Sequence, residues 1–264
     1  MKRNAATTAP LAASLTAAAI VILIGCSTVP ETGRKQLNFM NPQKEAQMGF
    51  QAFTKYKRAN KVASGHPGNT QLQRVGRRIS RVVEVPYSNW EYVLFEDKKP
   101  NAFALPGGKI GVNTGILPIT QNDAGLATII GHEIGHVTAR HGAERMSQGT
   151  LATIGGVAAA VALGESDMSS GARTAILSAY GAGTGVGMLK FSRNHEYEAD
   201  RLGMLYMARA GYDPREAVAF WKRFATHKAG AARMPEFLST HPLDANRIRA
   251  LESHLPEALA AYNR

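Results

Sequence analysis

The stretch that most constrains this chain is His132-Glu133-Ile134-Gly135-His136. Residues four apart share one face of an α-helix. Two imidazoles at that spacing can hold one metal ion, and the glutamate between them can address a water activated by the metal. The surrounding residues predict the helix. Thr120 is expected as its N-cap, with Asp123 three residues on, and Leu126, Ile129, Ile130, Ile134 and Val137 then recur at helical spacing. Gly142 is the expected stop, with Arg140 and His141 in the last turn. Gly131 and Gly135 also lie four apart, and glycine weakens a helix interior. The pair therefore calls for a close crossing by another element.

A catalytic zinc usually takes three protein ligands and leaves a fourth position for water. His141 does not qualify by spacing, because nine residues beyond His132 is about 900° of helical rotation, pointing to the other side. The longer H-E-x-x-H-x-x-G-x-x-H pattern is also absent, since Ala139 and Gly142 occupy its last two fixed places. Downstream runs Phe191-Ser192-Arg193-Asn194-His195-Glu196-Tyr197-Glu198-Ala199-Asp200. Glu196 as ligand with Asp200 holding a ligand histidine makes chemical sense. Spacing alone leaves Glu196, Glu198 and His195 all open as the third ligand.

Four blocks in order carry a family resemblance: Asn101-Ala102-Phe103-Ala104-Leu105-Pro106-Gly107-Gly108, then His132 to His136, then Phe191-Ser192-Arg193 with Glu196 and Asp200, then Thr240-His241-Pro242. Together they resemble the M48 zinc metallopeptidases, the gluzincins that include CAAX-processing and HtpX-like proteases, over roughly residues 42–255. The resemblance implies an α+β, mostly helical zincin-like metalloprotease domain over residues 42–264, with a small β-sheet or hairpin beside the active-site cleft. It implies one Zn²⁺ per chain, with His132, His136 and Glu196 as ligands, Glu133 as general base and Asp200 orienting a ligand imidazole. It places His241 at the active site as a helper for the developing oxyanion and leaves the role of Arg247 open. It also makes Asn101, Ala102, Phe103 and Ala104 a strand that pairs with the substrate backbone, where the residues alone read as an ordinary hairpin. The chain departs from the multi-pass members of the family, having no spanning helices around the site.

The N-terminus reads as an export signal. Lys2 and Arg3 precede an apolar run ending in Leu23-Ile24-Gly25-Cys26, which resembles a bacterial lipobox. Residues 1–25 are then a signal peptide, Cys26 becomes lipid-bearing, and residues 26–41 are a tether of little periodicity. Cys26 is the sole cysteine, so no internal disulfide can form. An uncleaved anchor is the alternative, but the run from Leu11 to Gly25 falls short of the roughly 20 residues a bilayer needs. Ser27, rather than aspartate, points to an outer-membrane lipoprotein facing the periplasm. The formal charge is +11, of which Lys2 and Arg3 carry two. The remaining positives are dispersed with no basic-aromatic motif, which argues against nucleic acid and for solvated faces or an anionic membrane surface.

Elsewhere, helices are expected over 43–59 and 70–85, a strand over Trp90 to Glu96, and further strands over Ala102–Leu105 and Lys109–Asn113. Residues 148–190, rich in glycine, alanine and serine, either gate the cleft or simply pack. Gly211 is the expected end of the second zinc-bearing helix, and Asp213-Pro214-Arg215-Glu216 starts another. The expected activity is zinc-dependent endopeptidase action on misfolded or membrane-associated polypeptides, with outer-membrane assembly or quality-control proteins as candidate partners. The rivals are a membrane-tethered holdase or assembly factor with a structural or vestigial zinc site, and a zinc hydrolase of cell-wall or small amide substrates.

Overall fold

The computed structural model describes residues 26–162, 192–230, 236–242 and 245–263. The proposed signal peptide and the 163–190 part of the glycine-rich segment lie outside the described residues. Among the described residues, no helix is long and apolar enough to cross a membrane.

The architecture is α+β and mostly helical. Strands β1 (Cys26–Thr28) and β2 (Lys35–Leu37) form an antiparallel hairpin. Residues 26–41, read from sequence as an aperiodic tether, are thus largely structured. Helix α1 (Pro42–Ala59) starts on Asn41, whose side chain accepts from the Gln43 and Lys44 amides. Helix α2 (Pro67–Ser80) is capped by His66 and has Pro67 in its first turn. Strands β3 (Glu91–Phe95), β4 (Ala102–Leu105) and β5 (Lys109–Asn113) form a sheet ordered β3-β5-β4, parallel between β3 and β5 and antiparallel between β4 and β5. The two bounds expected for β4 and β5 coincide with those observed. The β4–β5 turn uses Gly107 and Gly108, both at φ +78°, a region open mainly to glycine.

A short 3₁₀ turn and helix α3 (Leu117–Thr120) lead to α4 (Asp123–Thr138). The N-cap of α4 is Asn122, not Thr120: the Asn122 side chain accepts from the Gly125 amide, while the Thr120 hydroxyl bonds back to the Leu117 carbonyl. The far end also differs from expectation. Helix α4 stops at Thr138, Arg140 takes φ +53°, and α5 (His141–Ala162) begins at His141. Gly142 is therefore inside the next helix. Helices α6 (Arg193–Arg209), α7 (Arg215–Gly230), α8 (Glu236–Thr240) and α9 (Ala245–Tyr262) follow. Gly211, at φ +76°, closes α6 as expected, and Asp213 accepts from the Arg215 amide at the start of α7.

Helix α4 is the centre of the molecule. Every residue from Gly125 to Val137 is buried, so the helix has no solvent-facing side and its polar residues His132, Glu133 and His136 lie inside the molecule. The helix packs against α2, α7 and β4 and is crossed closely by α6. The crossing explains the glycine pair: a methyl group built on Gly131 would lie 2.8 Å from the Gly203 carbonyl oxygen, and one on Gly135 would lie 2.8 Å from that of Ala199. The main core runs from Leu72, Val75 and Ile79 through Ile129, Ile130 and Ile134 to Trp221, Phe224 and Phe237. A smaller aromatic cluster of Phe53, Phe95 and Phe103 binds α1 to the sheet.

Candidate metal centre

The α4–α6 crossing brings two polar faces together inside the core. Helix α4 supplies His132, Glu133 and His136; α6 supplies Glu196 and Asp200; the end of α8 supplies His241. All six are buried. The Nε2 atoms of His132 and His136 lie 3.1 Å apart, and His241 Nδ1 is 3.2 Å from His132 Nε2. Glu196 is 3.5 Å from each of the paired histidines and 3.1 Å from His241 Nδ1. One ligand atom from each of His132, His136, Glu196 and His241 lies within 4.8 Å of the others. Of the three residues left open by spacing, only Glu196 joins the histidine pair. Glu198 turns to His141 and His195 to Glu144.

The partners behind each imidazole set its tautomer. Asp200 Oδ1 is 2.9 Å from His132 Nδ1, and an ionised carboxylate only accepts, so His132 Nδ1–H donates and the Nε2 lone pair faces inward. Glu198 Oε2 accepts likewise from His141 Nε2–H at 2.9 Å. This leaves the lone pair of His141 on Nδ1, 2.8 Å from His136 Nδ1, so His136 donates there and turns its own Nε2 lone pair inward. Two lone pairs then face each other at 3.1 Å, an arrangement a cation between them resolves. Two nitrogens on one tetrahedral zinc are expected about 3.3 Å apart. The donor set therefore fits a metal ion of zinc's kind.

The electrostatics agree. Burial pushes His136 well below the ordinary imidazole range, giving the neutral form that ligates. Burial would raise Glu196, but the charges of His241 and Arg247 and the hydrogen bond from His241 override it and hold the carboxyl well down. Asp200 is likewise lowered: burial opposes, and Arg247 and His132 prevail. His241 is raised, because the carboxylates of Glu196 and Glu133 outweigh the burial that lowers it.

Arg247 is a buried guanidinium over the Trp221 ring, 3.9 Å from its centroid. It donates to Asp200 at 2.6 and 2.9 Å and pairs with Glu196 at 2.8 Å. It thus spans the two α6 carboxylates, a placement that sequence reading left open. The spacing argument against His141 assumes one continuous helix, whereas His141 begins α5. It lies outside the four-ligand group, as expected, but backs His136 rather than pointing away. No spacing signal marks that pairing, because the helix breaks at Arg140 and His141 starts the next one.

Glu133 lines a cavity of about 450 Å³ together with His136, His241 and β4. Its Oε1 is buried without a hydrogen-bond partner and lies 3.5 Å from His241 Nε2. Asn101, Ala102, Phe103 and Ala104 all line the same cavity. Strand β4 is the edge of its sheet among the described residues.

The chain is similar to the mitochondrial metalloendopeptidase OMA1 of Schizosaccharomyces pombe, 34% identical over 87% of this chain and 66% of the relative. Its counterpart in Saccharomyces cerevisiae is 32% identical over 75% of this chain and 59% of the relative. The beta-barrel assembly-enhancing protease of Escherichia coli is 29% identical over 94% of this chain and 51% of the relative. The chain thus spans between about half and two thirds of these relatives' lengths. The sequence model of one peptidase family matches residues 67–255, well over half the chain and the whole of the site from β4 to Arg247. The chain belongs to peptidase family M48.

Proposed function

We propose that this chain is a zinc-dependent endopeptidase acting on polypeptides, with His132, His136 and Glu196 as the zinc ligands. The observation that carries the reading is the facing pair of imidazole Nε2 atoms, 3.1 Å apart, with Glu133 beside them on the wall of a cavity bounded by an edge strand. When bound, the ion would lower the pKa of a water toward about 7 and polarise the scissile carbonyl. Glu133 takes a proton from the attacking water and returns it to the leaving amine. Asp200 holds His132 through Nδ1, and His241 offers a donor to the developing oxyanion. The outer edge of β4, over Asn101 to Ala104, pairs with an extended substrate main chain, which favours broad selectivity.

Two measurements test this reading. A chelator abolishes casein digestion by the purified chain, and added zinc restores it. Glu133→Gln still binds one zinc but loses most hydrolysis, at least about 100-fold; peptidase activity retained in that variant overturns the assignment.

A second reading has its own observation. His241 joins the other three ligand atoms, and four protein ligands would close a structural site. A tethered holdase or assembly factor would then bind zinc yet leave casein intact in every condition.

The setting is also a proposal. Cleavage before Cys26 and lipidation would hold the chain on the periplasmic face of a bacterial outer membrane. Misfolded or membrane-associated proteins would be its substrates, and outer-membrane assembly or quality-control proteins its partners. Similarity to an Escherichia coli protein named for β-barrel assembly supports this, and the exposed Cys26 at the start of β1 is accessible for lipid attachment. Cys26→Ser would move the protein from the membrane to the soluble fraction; unchanged membrane association would refute the anchor.

A further inference from the structure

The turn of the β1–β2 hairpin reaches Glu198, behind the metal centre, through two side chains, Arg34 and Thr32. Between the strands, Arg34 sends its guanidinium into the gap between α5 and α6. Its Nε donates to Glu198 Oε2 at 2.6 Å, and its Nη atoms donate to Glu144 at 3.0 and 2.7 Å. Thr32 donates a short hydrogen bond to the other oxygen of Glu198. Glu198 is thereby held with Oε2 toward His141, which stacks on His195 at 4.3 Å between ring centroids. His141 in turn accepts from His136. The hairpin is docked independently at a second point, where Arg209 pairs with Glu31 at 2.8 Å.

We propose that Arg34, Glu198 and His141 are positioning residues for the metal centre, and that the docked N-terminal hairpin sets the orientation of His136. The inference rests on the reading of His136 as a metal ligand. The reasoning is one of hydrogen-bond direction. A ligand imidazole needs its outer nitrogen to donate, and the group behind it normally is a carboxylate or carbonyl. Here that group is a second imidazole, which can accept on Nδ1 only while its own proton stays on Nε2. Glu198 imposes that choice, because it can only accept. Arg34 and Thr32 fix where the Glu198 oxygens lie. If Arg34 leaves, Glu198 is free to rotate, His141 can take the other tautomer, and His136 then faces an N–H instead of a lone pair. The hairpin at the start of the described residues is thus wired to a residue on the central helix, far from it in sequence.

The test uses the purified full chain and reads zinc affinity by competition with a chromogenic chelator. It also reads the visible spectrum of the Co²⁺-substituted protein and the split between kcat and KM. Arg34→Met and His141→Phe are each expected to weaken zinc binding by about 10–100-fold. Both should shift the Co²⁺ bands and lower kcat more than KM. Arg34→Lys restores part of the affinity, since an ammonium can reach one carboxylate but not both; it also serves where Arg34→Met does not fold. Arg209→Met is the control for docking alone: it lowers the melting temperature without changing zinc affinity or the Co²⁺ spectrum. Wild-type zinc affinity and an unshifted Co²⁺ spectrum in folded Arg34 and His141 variants would overturn the proposal. If instead His136→Ala binds zinc as tightly as the wild type, the ligand assignment beneath it falls.

Discussion

At the scale of single residues, Arg247 separates structural from chemical contributions. Its guanidinium is buried against Trp221 and satisfies Asp200 and Glu196 at once. Removing it leaves two carboxylates in the core without their permanent counter-charge. Losing one partner of such a buried group costs about 3–5 kcal/mol. Arg247→Met is therefore expected to lower folding stability by that order in urea titrations of the chelator-treated protein. Arg247→Lys should recover only part of it, because an ammonium cannot make the two-pronged contact. A loss below about 1 kcal/mol in Arg247→Met would show that the carboxylates find other partners. Asp200→Ala tests the neighbouring claim: zinc affinity falls by about 10–100-fold, read by the same chelator competition, and an unchanged affinity would remove Asp200 as the group that orients His132.

At the scale of elements, the glycines of α4 make the sharpest case. Propensity alone says that Gly135→Ala should stabilise a helix by about 1 kcal/mol. The crossing says the reverse, since the added methyl would sit 2.8 Å from the Ala199 carbonyl oxygen. Helix α6 would have to move, and α6 carries Glu196 and Asp200. We expect Gly135→Ala to destabilise by about 1–3 kcal/mol and to weaken zinc binding, both readable by thermal melts with and without zinc. A rise in melting temperature would show that the helices have room to spare. This also marks what sequence can reveal. The need for a close neighbour was legible in Gly131 and Gly135; spacing showed that Glu196 and Asp200 share a helix face, but only the family resemblance singled out Glu196 from Glu198 and His195. That Gly203 and Ala199 would be that neighbour was not, because nothing local encodes a crossing between distant helices. The helix ends were misread for a related reason. Asn122 and Thr120 are both competent caps, and only the turn at Gln121, with φ +63°, decides between them. The break at Arg140 occurs at a residue with no sequence mark of a left-handed turn, so His141 was placed on the wrong helix and the pairing with Glu198 stayed hidden. The same gap concealed Arg34, whose partners lie on α5 and α6.

At the scale of the whole molecule, the hairpin, α5 and α6 are joined by a buried charge cluster whose response to acid follows from its pKa shifts. Burial pushes the Glu144 carboxyl up, but bonds from His195 and Arg34 and their charges bring it down to about 2. A carboxyl lowered in the folded state stabilises the fold above its unfolded value, near 4.5. That stabilisation disappears as the pH falls from there toward about 2, where the folded-state group also takes up its proton. Glu144→Gln removes the charge at every pH. In chelator-treated protein at neutral pH, the wild type should therefore exceed this variant by about 1–3 kcal/mol in urea unfolding. The gap should close as the pH is lowered from about 5 toward 3, because the wild type loses what the variant never had. Limited proteolysis over the same range places the effect: cleavage within residues 26–41 should rise with acid in the wild type and be high at all pH values in Glu144→Gln. A stability gap that stays constant through acid would mean that Glu144 holds the hairpin by shape rather than by charge.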